Sequence, residues 1–218
     1  IWHRQHDGIR YEVRSHGKTL RLFANGVQHS EFHPDRLVTG SVWDLLWLPA
    51  LFDQPHGYRR VLVLGLGGGS ILPPLQRLLK PDVIVAVEKD PLHLEVARDQ
   101  FHVAAPGTEL VCADACDFVR DYDGPPFDLI IEDLFAPSDS SVSRAVPATA
   151  RWVGQLKRLL NPKGTLIMNF GDWAEFKQSW AASANAMRGW KRRYRFATPD
   201  CHNAVIAFRR DENGSDVL

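Results

Sequence analysis

Apolar and polar positions fall into two rhythms along this chain. From residue 10 to 30 they alternate: Tyr11 and Val13, then Leu20, Leu22 and Ala24, with Gly17 and the pair Asn25-Gly26 between the runs. A period of two broken by turn residues predicts a small antiparallel sheet. After a loop over residues 31–36, the segment from Val42 to Phe52 is apolar on most faces. It predicts a helix packed on a sheet or at a subunit contact, with Trp43 and Trp47, one turn apart, read as core packing.

From Arg60 onward the rhythm changes to short apolar runs separated by helical patterns. Strands are predicted at Val61–Leu64, Val83–Val87, Glu109–Cys112, Phe127–Ile131 and Thr165–Asn169. Helices are predicted at about 70–79, 91–101, 116–120 and 146–160, and a long one after the fifth strand presents Phe176, Trp180, Ala184 and Met187 on one face. Runs at 193–197 and 204–208 read as two closing strands. The β-α-β alternation implies an α/β fold with a mostly parallel, doubly wound sheet. Residues 1–36 are expected to form the small N-terminal β element, 37–210 the main domain, and 211–218 a flexible tail.

Composition changes this picture little. The chain has 218 residues, enough for one sizeable core, and 26 basic residues balance 26 acidic ones. That balance gives no reason to expect nucleic acid or an anionic membrane as partner. No apolar run approaches a membrane span and the amino end shows no signal-peptide core, so a cytoplasmic protein is expected, with the reservation that it begins at Ile1 rather than Met. Cys112, Cys116 and Cys201 make neither a disulfide framework nor a zinc set, and no metal site is expected. His29 and His33, the one close histidine pair, read as loop residues.

The candidate chemistry begins where the first parallel strand runs into Gly65-Leu66-Gly67-Gly68-Gly69-Ser70, four glycines in five positions before Ser70. Glycines there let the chain turn sharply and let a ligand touch backbone, in the crevice outside the carboxyl ends of the strands. Ser70-Ile71 lacks the Lys-Ser/Thr pair of a phosphate-binding loop. Ser70 also replaces the third glycine of a dinucleotide fingerprint, which weakens that reading but leaves it open. The remaining class is the S-adenosylmethionine-type site, in which Gly65, Gly67 and Gly69 accommodate the ligand and no phosphate must be neutralised.

Three acids then follow successive strand ends. Glu88, 23 positions after Gly65, is placed to accept bonds from ribose hydroxyls, although it could instead pair with a surface cation. Asp114, followed by the small Ala115, is placed to bind an adenine amino group. Asp133 lies nearest the reacting centre and is the candidate base or cation-orienting group, a loop cap being its structural alternative.

Together these pieces resemble the spermidine synthase family. Residues Leu22 to Gln28 resemble the family's hairpin, Val61 to Ser70 its glycine motif, Glu88 its ribose acid, Asp114-Ala115 its adenine contact, and Phe127 to Asp133 the strand leading to its proton-accepting aspartate. The resemblance implies a Rossmann-like class I methyltransferase fold behind the N-terminal β element, and S-adenosylmethionine or decarboxylated S-adenosylmethionine as cofactor. With the apolar Trp43–Phe52 segment it also implies a homodimer. The departures lie on the acceptor side. Gly68 stands where the family carries an aspartate, Leu134, Phe135 and Ala136 occupy its polar loop, and Ser41-Val42-Trp43 aligns with its Tyr-His-Glu segment. The expected activity is therefore transfer, methyl transfer first, to a small-molecule acceptor other than an ordinary polyamine, with Pro137 to Ala145 as a candidate lid. Aminopropyl transfer and a non-catalytic nucleoside-binding homologue are the alternatives.

Overall fold

The structure is a computed structural model that describes residues 1–52, 57–137 and 142–210. The tail at 211–218 and the tip of the candidate lid, residues 138–141, lie outside the described residues.

Four strands open the chain as an antiparallel meander: β1 (Trp2–His6), β2 (Ile9–His16), β3 (Thr19–Ala24) and β4 (Val27–Phe32). The β1–β2 and β3–β4 turns are Asp7-Gly8 and Asn25-Gly26, all four residues at positive φ, as tight hairpins matched to strand twist require. The first strand is not legible as an alternation because it is an edge strand whose residues after Trp2 are all exposed. β4 extends to Phe32, so His29 is a strand residue rather than a loop residue.

The main sheet has seven strands: β5 (Arg60–Leu64), β6 (Val83–Glu88), β7 (Thr108–Cys112), β8 (Phe127–Glu132), β11 (Leu160–Phe170), β12 (Trp190–Thr198) and β13 (Cys201–Arg210). Their order is β12-β13-β11-β8-β5-β6-β7, with the first five in chain order parallel and β12 and β13 antiparallel at one edge. Strands β9 (Phe135–Pro137) and β10 (Val142–Arg144) form a separate antiparallel pair after β8. The chain moves outward from β5 to β7 and then returns to place β8 on the other side of β5. That reversal opens the crevice in which ligands of such sheets bind.

Both faces of the sheet are covered, which is why its central strands read as continuous apolar runs. Val61 and Val63 face one core with α1 (Val42–Trp47), α2 (Leu72–Pro74) and α3 (Pro91–Glu95), together with Val13 and Leu22 of the N-terminal sheet. Leu62 and Leu64 face the other, with α4 (Ala115–Asp121), α5 (Ala150–Arg158) and α6 (Trp173–Gln178). Trp47 is buried in the first core, and Trp43 packs against it only partly covered. Helices α2 and α3 each run on into a wider turn closed by an i to i+5 bond, Lys80 N–H to Leu75 and Phe101 N–H to Val96.

Two helices depart from the sequence pattern. Helix α5 begins at Ala150 rather than Val146, because Pro147 restricts its predecessor to extended backbone and Thr149 supplies the cap, accepting from Trp152 N–H at 3.2 Å. The long helix expected after β11 is α6 followed by two short 3-10 turns at Trp180–Ala182 and Asn185–Met187. Ser179 and Ser183 take extended backbone there, and their hydroxyls bond Phe176 O and Ala186 N–H, the local competition by which serine ends helices.

The N-terminal sheet is bonded to the carboxyl-end rim of the main sheet. Ser30 Oγ accepts from Gly68 N–H at 2.6 Å, and Ser70 Oγ accepts from Glu31 N–H at 2.8 Å. Ser30 is fully buried, so its removal leaves the Gly68 N–H without a partner or water. Ser30→Ala is expected to cost about 1–3 kcal/mol in urea denaturation.

Candidate functional site

A cavity of about 590 Å³ lies between the carboxyl ends of β5, β6, β7 and β8 and the inner edge of the N-terminal sheet. Its size is that of an ordinary small-molecule site. Its floor is the glycine turn. Gly65 has φ +82, and a Cβ there would stand 2.2 Å from the Asp133 carbonyl oxygen; Gly67 has φ +55, and a Cβ there would stand 2.9 Å from the His29 carbonyl oxygen. Both glycines line the cavity. Gly69, also at positive φ, is packed under Val103 and Leu72, so it serves the turn and the seat of α2. Gly68 faces Phe101 and Ser30. A carboxylate on its Cβ would enter that packing, not the cavity, so its lack of a side chain allows the seating of β4 and carries no information about the acceptor.

Glu88, at the end of β6, is buried and ties this turn down. Its Oε2 accepts from Leu66 N–H at 3.1 Å and Gly67 N–H at 2.8 Å, and its Oε1 from Asp90 N–H at 3.0 Å. Burial works against its charge, but His93 and the backbone donors of Asp90 and Gly67 outweigh it and hold the carboxyl below the usual range. It does not pair with Lys89 or with any surface cation among the described residues. Asp114 caps α4, its Oδ1 accepting from Cys116 N–H at 2.7 Å and Asp117 N–H at 3.2 Å, while with Ala115 it lines the cavity.

Asp133 follows β8, and its N–H donates to Leu64 O at 2.9 Å across the strand reversal. Among the described residues its carboxylate does not cap the following loop. Oδ1 accepts instead from Asn169 Nδ2 at 2.7 Å. Burial pushes this carboxyl up to about 6, with the Asn169 bond opposing, Glu132 adding to the rise, Arg144 opposing and Glu88 adding.

Several residues of the site are not legible in the sequence. Glu132 is fully buried and paired with Arg144, at 2.7 Å to Nη2 and 2.9 Å to Nη1, and Trp152 donates to it at 3.2 Å. Arg144 also donates to the carbonyls of Asn169 and Val146 and lies over the Phe170 ring. An acid at the end of an otherwise apolar strand is the one signal that could have revealed this pair. The His29 and His93 rings lie 4.9 Å apart, tilted by 48°, and Tyr11 meets His93 edge-on while its hydroxyl donates to Asp90 Oδ2 at 2.6 Å. Burial, together with the neighbouring His93, lowers His29 to about 4, so it is neutral at physiological pH despite Glu88 and Asp90.

The residues present fit an adenosyl sulfonium ligand. A glycine floor with two accessible glycines, a carboxylate at the second strand end and an acid-alanine pair at the third surround a cavity of suitable volume.

Residues 45–209 match the family model described as a spermine/spermidine synthase domain. The chain is 34% identical over 128 residues to a polyamine aminopropyltransferase of Chromobacterium violaceum, covering 58% of this chain and 45% of that protein. It is 32% identical over 116 residues to an eEF1A lysine and N-terminal methyltransferase homolog of Drosophila melanogaster, covering 50% of this chain and 17% of that protein. The chain thus spans less than half the length of either. In fold it is similar to spermidine synthase from Thermotoga maritima, with a TM-score of 0.70 at 18% identity over 100% of this chain and 74% of the other.

The buried pair gives a direct test. Arg144→Met leaves Glu132 uncompensated and is expected to cost about 3–5 kcal/mol in denaturant unfolding. The double variant Glu132→Leu/Arg144→Met is expected to recover part of that loss, since both desolvated charges are gone while the Asn169 and Val146 carbonyls and the Trp152 N–H lose a partner.

Proposed function

The chain belongs to the spermine/spermidine synthase family, and from that premise we propose that it is a group transferase that binds S-adenosylmethionine and methylates an acceptor other than an ordinary polyamine. The observation that carries this reading is the division of labour among the four carboxylates that line the cavity among the described residues: Glu88, Asp90, Asp114 and Asp133. Glu88 holds the glycine turn at the ribose position, Asp114 caps α4 at the adenine position, and Asp90 is bonded to Tyr11 and Leu92. Among the described residues Asp133 alone is left to the acceptor, in a cavity that Trp43, Leu134 and Phe135 also line. A polyamine needs a second anionic contact for its second ammonium group.

When bound, the sulfonium supplies an alkyl group already activated for displacement. This chain's residues then bind, orient and exclude water. Glu88 fixes the ribose, Asp114 and Ala115 fix the adenine edge, and Trp43, Leu134 and Phe135 pack the acceptor body. Asp133 takes up the acceptor's proton on its carboxylate, for which a pKa of about 6 leaves it ionised yet basic at neutral pH. A second reading, aminopropyl transfer from decarboxylated S-adenosylmethionine, draws support from the aminopropyltransferase relatives.

Calorimetric titration is expected to show S-adenosylmethionine or methylthioadenosine bound in preference to NAD, with affinity reduced about tenfold or more, roughly 1.4 kcal/mol, in Glu88→Gln and in Asp114→Ala. Absence of binding by all three ligands removes the transferase reading. Tight binding of decarboxylated S-adenosylmethionine with turnover of putrescine selects the second reading.

Asp133 makes two pH predictions. As a base it works only when ionised, so the transfer rate is expected to fall about tenfold per unit below pH 6, a limb absent from Asp133→Asn. Its folded-state pKa lies above the unfolded value. Its contribution therefore favours the fold below about pH 4 and is lost as pH rises through about 6. Asp133→Asn is accordingly expected to raise the melting temperature more at pH 7 than at pH 4.

A further inference from the structure

Behind Asp133 lies a chain of polar side chains. Asn169 Nδ2 donates to Asp133 Oδ1 at 2.7 Å, Asn203 Nδ2 donates to Asn169 Oδ1 at 3.0 Å, and Cys201 Sγ donates to Asn203 Oδ1 at 3.1 Å. The direction of this chain is dictated from one end. An ionised carboxylate can only accept, so Asn169 must present its amide N–H₂ to Asp133. Its carbonyl oxygen is then left facing Asn203, which must present its own N–H₂ in turn. The oxygen of Asn203 remains for the thiol.

The two asparagines come from paired strands. Asn169 stands opposite Val205 in the β11–β13 register, so Asn203 lies two residues along the neighbouring strand. The backbone of Asn169 is held as well, since its carbonyl accepts from Arg144, which Glu132 holds in place. Asn169 is 2% exposed, and its amide has no room to reorient without breaking one of these bonds. Asn203 and Asn169 both line the cavity with Asp133.

We propose that Asn203 is a positioning residue, acting through Asn169 in one directed hydrogen-bond relay that fixes Asp133 Oδ1 and leaves Oδ2 for the acceptor. This rests on the transferase reading for its purpose but not for its test. The relay stabilises the ionised carboxylate, because every donor points toward it. Glu132 at the end of β8, Arg144 from β10 and Glu88 from β6 also act on Asp133. Substitution of Asn203 changes none of those charges, so none of them accounts for a shift that it produces.

The test is a carboxyl carbon NMR titration of the full chain, with the Asp133 signal assigned by its loss in Asp133→Asn. Asn169→Ala removes the direct donor and is expected to move the Asp133 midpoint up by about one unit. Asn203→Leu removes only the donor behind it, and a smaller upward shift is expected. Where turnover is measured, the acid limb of the rate moves by the same amount, with KM for S-adenosylmethionine unchanged. A midpoint unmoved by Asn203→Leu while Asn169→Ala shifts it overturns the relay, since Asn169 then acts alone. A shift in Asn203→Leu that comes with lost methylthioadenosine affinity and an equal fall in melting temperature also overturns it, in favour of general loosening. The titration needs no turnover, so failure of wild-type protein to bind any adenosyl sulfonium removes the transferase reading and leaves the relay separately decided.

Discussion

Two backbone N–H groups, those of Leu66 and Gly67, point at one carboxylate oxygen of Glu88, and the site is assembled around that contact. A turn rich in glycine has many conformations available, and ordering it costs more backbone entropy than ordering any other sequence. Glu88 offsets that cost by satisfying two donors at once from the end of the adjacent strand. The N-terminal sheet closes on the turn from the other side, through Ser30 on Gly68, Glu31 on Ser70, and Tyr11 on Asp90. The turn is thus held between two sheets before any ligand arrives, and the small sheet is a structural part of the site.

The same crevice holds acids in unlike environments, and those environments separate their roles. Glu88 has backbone donors and His93, and it stays ionised despite burial. Glu132 has a bidentate guanidinium, and it serves the strand end and the β9–β10 pair instead of the cavity. Asp133 accepts from one carboxamide among the described residues and has two acidic neighbours, and burial raises it to about 6 although Arg144 opposes. A group so placed can exchange a proton near neutrality. The cavity that it lines also carries Trp43, Leu134 and Phe135.

Much of this was legible because it is local. The Val61–Leu64 run into glycines, Glu88 and Asp133 at strand ends and Asp114 before Ala115 follow from periodicity and chain order. The doubly wound sheet and the family resemblance rest on the same signals, and the family match agrees with them. The failures were also local in cause. Pro147 and the two serines at 179 and 183 ended helices that apolar spacing alone would have continued, and the exposed β1 gave no alternation to read.

The sequence by itself determined the order of elements, the sharp turn after β5 and the placing of three acids at one rim, since parallel strands bring their carboxyl ends together whatever the packing. Tertiary structure alone decided which way each of those groups faces and what it bonds. Gly68 reads as a missing carboxylate in sequence and proves to be the seat of β4. Asn169, Asn203 and Arg144 are unremarkable in their own segments, and they meet Asp133 only because β8, β11, β13 and the β9–β10 pair converge there. Hydrogen bonds between residues 25 to 36 positions apart leave no periodic trace in a chain, and those are the bonds that prepare the candidate base.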